Sequence, residues 1–149
     1  MAAALDQVGD RWTFLVLREC FFGVRRFADF QRNLGVARNI LSDRLGKLVD
    51  HEILQRHLYQ QRPPREEYRL TAKGRDLYAV TVALMRWADR WVVEEPPLVL
   101  AHHSDGGSVE QILQCTRCAQ RLEAADITYH RVHCDELVTD GPAPHAGLS

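Results

Sequence analysis

The sequence predicts a mostly α fold with one small β-hairpin and, after a break in composition, a small β-rich tail. Three observations predict it. Residues 27–51 (FADFQRNLGVARNILSDRLGKLVDH) read as two short helices joined by a tight turn. Directly behind them, two alternating runs flank the stiff loop Gln61-Arg62-Pro63-Pro64-Arg65. A long stretch with apolar residues every three or four positions then runs up to Glu94-Glu95-Pro96-Pro97, where it must stop.

At 149 residues and 46% apolar, the chain can bury one core of ordinary size and carry a small appendage. It has no run of about 18 apolar residues, so no membrane span is expected. The N-terminal MAAALDQVGDRW lacks the basic start and apolar centre of a signal peptide, which makes the cytoplasm the default location. Cys20, Cys115, Cys118 and Cys134 are then expected to be reduced thiols or metal ligands. The net charge of −1 hides an uneven distribution: residues 11–75 hold 14 Lys/Arg against 7 Asp/Glu, and the remainder holds 5 against 13. A basic front beside an acidic remainder suits a nucleic-acid-binding part joined to an assembly or sensing part, although a solvated basic surface would look the same.

Residues 3–22 read as a first helix, with Leu5, Val8, Trp12, Leu15, Val16 and Phe22 on one face, widened by Leu17 and Phe21. Gly9 either sits inside that helix at some cost or marks a break. Cys20, within the apolar face, reads as a small buried thiol. Gly23 ends the helix, and Val24–Phe27 can form a short strand. Ala28–Leu34 is the next helix and Gly35 the turn.

A recognition helix follows over about 37–52. Ile40, Leu41, Leu45, Leu48 and, at the edge, Val49 form its apolar sector; Arg38, Asn39, Ser42, Asp43, Gly46 and Asp50 cover the other side. An exposed first turn carrying Arg, Asn and Ser, behind a helix and a turn, is how a helix-turn-helix reads the major groove. An amphipathic core helix with a solvated face has the same pattern. Arg25 and Arg26 precede the motif, where side chains commonly touch the sugar–phosphate backbone. Arg44 lies at the edge of the apolar sector and can serve either the fold or a phosphate.

Ile53–Gln60 and Glu67–Thr71 are the two strands, with Leu54, Leu58, Tyr68 and Leu70 as alternating apolar positions. A rigid hairpin with Arg62 and Arg65 at its tip, directly after a recognition helix, is a wing, suited to a phosphate or a narrow minor groove. Thr71 then caps a long helix, Ala72–Val93. Leu77, Val80, Leu84, Trp87 and Trp91 fall at spacings of 3, 4, 3 and 4, a coiled-coil-like seam. Tyr78, Val82, Met85 and Ala88 add a second apolar side. One small domain rarely covers a helix on two sides, so a second subunit is the expected occupant and a homodimer the expected state. The aromatic surface around Trp12, Trp87 and Trp91 is also where a small-molecule effector would enter, if dimer packing does not account for it.

These segments together resemble the HxlR-type winged helix-turn-helix transcription regulators of bacteria. The resemblance rests on RRFADFQRNL, LSDRLGKL and RPPREEYRLTAKG in combination and covers roughly Leu5–Trp91. It implies a dimeric regulator, more often a repressor, binding double-stranded DNA at a two-fold-related operator. Groove-facing candidates are Ala37, Arg38, Asn39 and Ser42; Arg62 to Arg65 are the wing, and Arg25 and Arg26 join Arg62 and Arg65 on phosphates. The first and last helices, with Leu5, Leu77, Val80, Leu84, Trp87 and Trp91, would form the dimer interface. Several members of the family sense electrophiles or oxidants through a cysteine just ahead of the first helix. This chain has Met1-Ala2-Ala3-Ala4 there, and Cys20 is not at the matching place.

The expected organisation is therefore a winged, DNA-binding and dimerising domain over 1–95, a small Cys/His-containing β-rich appendage over 96–139, and a disordered tail over 140–149. In the appendage, Leu98–Ala101, a segment near Gln111–Gln114 and Ile127–Val132 read as strands around a turn at Asp105-Gly106-Gly107. Cys115-x2-Cys118 has zinc-knuckle spacing and Cys134 follows, with His102, His103, His130 or His133 as a fourth donor. Leu137 stands where a second close pair would need its cysteine, and Asp105 where related tails appear to carry one. A zinc-ribbon-like site, a ribbon without metal and a thiol-redox pair all remain open; no cofactor is required. The His-x-Glu and Pro-Cys-x-x-Cys of zinc deaminases, a Gly-rich phosphate loop and a recognisable Ser/His/Asp set are all missing, which argues against an enzyme. The alternative function is a metal- or thiol-responsive protein-interaction module that uses the winged domain and the Cys-rich tail.

Overall fold

The computed structural model describes residues 1–129. In chain order these form α1 (Ala2–Val8), α2 (Arg11–Phe21), α3 (Phe27–Leu34), α4 (Arg38–Asp50), β1 (Leu54–Gln61), β2 (Pro64–Leu70), α5 (Ala72–Trp91), β3 (Leu113–Gln114) and β4 (Arg121–Leu122), followed by one 3-10 turn at Ala124–Asp126. They divide into two compact units, 1–111 and 112 onward, so the structural division falls beyond the change in composition at Pro96.

In the first unit, Val8, Val16, Leu17, Phe30, Val36, Leu41, Leu45, Leu48, Ile53 and Leu54 make one buried cluster. Helices α2, α3 and α4 each contribute their apolar stripe, and the start of β1 closes the cluster from below. The β1/β2 hairpin is antiparallel, pairing Leu54 with Leu70 and Gln61 with Pro64, with a bulge between Leu58 and Gln60. Thr71 caps α5 by accepting from the Gly74 amide, and its own hydroxyl donates to the carbonyl of Glu52 at 2.6 Å. That ties the start of the long helix to the end of the recognition helix.

Several local expectations change. The expected loop Gln61–Arg65 is largely strand, since β1 runs to Gln61 and β2 starts at Pro64, and the long helix ends at Trp91 instead of Val93. The first helix is two helices: a Cβ at Gly9 would lie 2.4 Å from the Leu5 carbonyl oxygen, and Asp10 starts a new helix by accepting from the amides of Trp12 and Thr13. Val24–Phe27 is no strand; its backbone meets the hairpin where the Tyr68 amide donates to the Arg25 carbonyl at 2.7 Å. Ile40 faces solvent, because Leu41 and Leu45 already fill the core side of the first turn. Leu58 is exposed as well, since it lies at the bulge where the alternation of the hairpin is interrupted.

The appendage holds less regular structure than its apolar runs suggest. Leu98–Ala101 is reduced to a single pairing of Ala101 with Ser108, around the expected turn. The segment near Gln111–Gln114 does supply β3, which pairs with β4. Residues 127–129 are not a strand. Cys134, His130, His133 and the segment 140–149 lie outside the described residues.

Candidate nucleic-acid interface

Gly35 takes the left-handed conformation (φ 60°, ψ 20°) that closes α3 and turns the chain. Ala37 then enters α4 with extended backbone and no side-chain cap, and the first turn of α4 holds no acidic residue. Its first amides therefore lack an internal partner and the positive end of the helix dipole is unopposed, an arrangement suited to anions. Ala37, Arg38, Asn39 and Ser42 are all exposed there. The Arg38 guanidinium lies 5.1 Å from the Phe27 ring centre, a stack that holds the side chain while leaving its edge N–H groups able to donate.

The opposite face of α4 anchors it. Leu41, Leu45 and Leu48 are buried. Arg44 donates to Asp10 at 3.0 Å, so the side chain that could have served either role holds the fold. Asp10 is shared between the α2 cap, the Thr13 hydroxyl and Arg44. Burial raises its pKa, but the Thr13 hydroxyl and amide, the charge of Arg44 and the Trp12 amide outweigh that and hold the carboxylate below its ordinary range. Further along, Asp43 pairs with Lys47 at 3.1 Å, which makes the later turns poor company for phosphate. Buried Glu19 does for α3 what Asp10 does for α4: it accepts from Asn33 at 2.8 Å and pairs with Arg18 at 2.9 Å. Sequence reading missed both ties. The Gly9-Asp10 start signal could have revealed the first; nothing local marks the second, which spans 14 positions.

In the wing, Glu67 is nearly buried and collects Arg69 at 2.6 Å and His57 at 3.9 Å. The Arg69 hydrogen bond is the main reason its carboxyl sits below the ordinary range. Arg56 lies 3.9 Å from Glu66. Arg62 and Arg65, by contrast, are exposed at the tip and make no ion pair among the described residues. Arg26 stacks on Tyr59 at 4.7 Å, which ties the segment before α3 to the bulge of the wing. Arg25, Arg26 and Arg32 line an open groove of about 430 Å³ beside Asn33 and Glu67; Arg32 was not among the expected contacts and is engaged with Asp29 at 2.7 Å. That groove is away from Trp12, Trp87 and Trp91.

Along α5, Thr81 and Val82 are buried and Leu77 is half-buried against the core cluster. Val80, Leu84, Trp87 and Trp91 project away, 49%, 49%, 57% and 65% exposed. Leu5 on α1 is exposed too. Such a stripe exceeds the scattered apolar exposure of an ordinary surface. Cys20 is largely buried, and burial, with the neighbouring Glu19 carboxylate, pushes its thiol up to about 12. Among the described residues no three His, Cys, Asp or Glu side chains gather as a metal site, and no helix is long and apolar enough to cross a membrane.

A helix-turn-helix with an exposed polar reading face, a two-stranded basic wing and a long following helix defines a winged helix-turn-helix transcription regulator. The sequence pattern of the HxlR-like helix-turn-helix family matches residues 7–96, and the chain belongs to that family. An uncharacterized HTH-type transcriptional regulator of Mycobacterium tuberculosis is 48% identical over 127 residues, covering 84% of this chain and 80% of the relative. Among solved structures, PA1607, a candidate transcription factor, superposes with a TM-score of 0.78 at 34% identity, over 86% of this chain and 91% of that one. The oxidized redox regulator HypR is similar over 60% of this chain and 93% of its own, with 29% identity and a TM-score of 0.56. The chain is thus a DNA-binding transcription regulator of HxlR type, and the relatives named are regulators too.

Proposed function

We propose that the chain works in the cytoplasm as a homodimeric repressor on a two-fold-related operator. The observation that supports this reading is the uncapped, acid-free start of α4 with its exposed Arg38, Asn39 and Ser42, followed in the chain by a hairpin whose Arg62 and Arg65 are exposed and make no ion pair among the described residues. In the docking we infer, Arg38, Asn39 and Ser42 read base edges beside Ala37, and Arg25, Arg26, Arg62 and Arg65 bind phosphates. The exposed stripe Val80, Leu84, Trp87 and Trp91, with Leu77 at its border and the exposed Leu5 of α1, supplies the dimer contact that would set half-site spacing.

The test is a titration of DNA from the gene's own upstream region at two salt concentrations, with wild type and Asn39→Ala. Wild type should bind less tightly as salt rises, and Asn39→Ala should lose roughly 1–3 kcal/mol of discrimination at one or two base pairs. Binding that ignores salt, or an Asn39→Ala protein with undiminished specificity, would sink this docking and favour the protein-interaction reading of the winged domain.

A further inference from the structure

The second unit poses a physical problem. None of residues 112–129 is buried, and Ile112, Leu113 and Tyr129 are 44%, 61% and 80% exposed. Strands β3 and β4 are two residues each. A hairpin this short with no apolar face to bury does not hold itself together in water. Small units of this kind are commonly closed by a covalent or metal cross-link.

The turn between the strands has the shape such a cross-link uses. Cys115 and Gln120 close it, with the Cys115 amide donating to the Gln120 carbonyl at 2.9 Å. Ala119 donates to the Cys115 carbonyl at 2.9 Å and takes a left-handed conformation, φ 59°. Gln114 braces the same corner through its side-chain amide, 2.8 Å from the Ala119 carbonyl. With both cysteines free and on the same turn, the hairpin offers two sulfurs as one edge of a tetrahedron.

We propose that Cys115 and Cys118 are the two hairpin ligands of a structural zinc ion that holds the second unit folded. Binding displaces the two thiol protons and replaces the missing core by metal–thiolate bonds. The sulfurs fill half of the tetrahedral shell; donors from outside the hairpin complete it. Cys134, the third cysteine of the pattern, lies outside the described residues. Its hairpin ligands are separate residues from Arg38, Asn39, Ser42 and the wing, so the proposal can fail without touching the reading of the winged domain, and the reverse.

The untagged full-length chain, purified with reductant and without chelator, should carry about one zinc per chain by atomic emission. Cys115→Ser and Cys118→Ser should each lose it, and should also lose the thiolate-to-cobalt absorption that Co2+ gives in the wild type. In both variants trypsin should cut at Arg117 or Arg121 far faster than in wild type, while helix content and DNA affinity stay unchanged. Zinc-free wild type that takes up neither zinc nor cobalt, or metal content unchanged in both variants, would overturn the proposal. A Cys115–Cys118 disulfide in protein kept under reductant would overturn it equally and favour a redox pair.

Discussion

Helices α4 and α5 carry the same kind of sequence signal and put it to opposite uses. Both are amphipathic, with apolar residues three and four apart. In α4 that stripe, Leu41, Leu45 and Leu48, is wholly inside the chain's own core. In α5 the more regular stripe, Val80, Leu84, Trp87 and Trp91, points away from it, while the residues that pack inward include a glycine and a threonine, Gly74 and Thr81. Periodicity says that a face will be covered; it does not say by which chain. What decides is which residues fill the core. Its buried cluster comes from Val8, Val36, α2, α3, α4 and the start of β1, and α5 adds only Leu77 at its edge.

The comparison makes a crossed prediction, and its two halves have the largest effects. Leu45→Ala should cost about 2–5 kcal/mol in denaturant unfolding at fixed protomer concentration, because the cavity opens in the middle of a filled core. It should leave the oligomeric state of the folded protein alone. Leu84→Glu should do the reverse: circular dichroism keeps its helical signal, while sedimentation shows monomer at concentrations where wild type, as proposed, sediments as a dimer. Losing the second half-site should then weaken operator binding at least about 100-fold. A Leu84→Glu protein that unfolds, or one that stays dimeric, would break the distinction drawn between the two stripes.

A smaller effect tests how α4 is held. Asp10→Ala removes the α2 cap and leaves Arg44 without its partner, and should cost about 0.5–2 kcal/mol near neutral pH. The pH dependence follows from the lowered carboxyl. A folded-state pKa below the unfolded value of about 3.9 means the stabilisation is fully present above that value. It fades as the pH falls through the lower, folded-state pKa. Wild type and Asp10→Ala should therefore differ in stability at pH 7 and converge in strongly acidic buffer. A gap that persists there would assign the effect to packing and not to the charge.

Much of this was legible beforehand because it is local. The Gly35 turn, the Thr71 cap and the paired alternating runs each act over a few residues, and each names its own conformation; α5, by contrast, ends at Trp91, ahead of the Pro96-Pro97 stop. The exposed polar start of α4 is legible for the same reason: Arg38, Asn39 and Ser42 lie within its first turn and a half. What escaped was non-local or decided by competition. Glu19 and Asn33 meet across two helices, and the Asp10–Arg44 pair across 34 positions. Helical periodicity puts Ile40 in the apolar sector because it weighs every apolar residue alike, whereas it is the neighbouring Leu41 that is buried in the core. In the appendage, apolar runs such as Leu98–Ala101 were read as strands, yet with no partner strand of matching length they settle into one bridge. Cys20 was readable as inert from its place on an apolar helix, and its raised thiol agrees.

The smallest effect is the most discriminating for the outer face of the motif. Asn39 and Arg65 both stand in the inferred contact surface, but they should act differently. Arg65 sits at the wing tip opposite Gln60, exposed and without an ion pair among the described residues. Removing it disturbs no packing, so Arg65→Ala should leave thermal stability unchanged. Its guanidinium would displace condensed counterions from one phosphate, and each lost phosphate contact flattens the slope of log K against log salt by about 0.9. Binding to operator and to unrelated DNA should weaken together, and least at high salt, where the released ions carry little entropy. If Arg65→Ala instead lowers operator binding alone and leaves the slope intact, the wing reads bases, and the division of labour between α4 and the hairpin has to be redrawn with Arg65 on the specificity side.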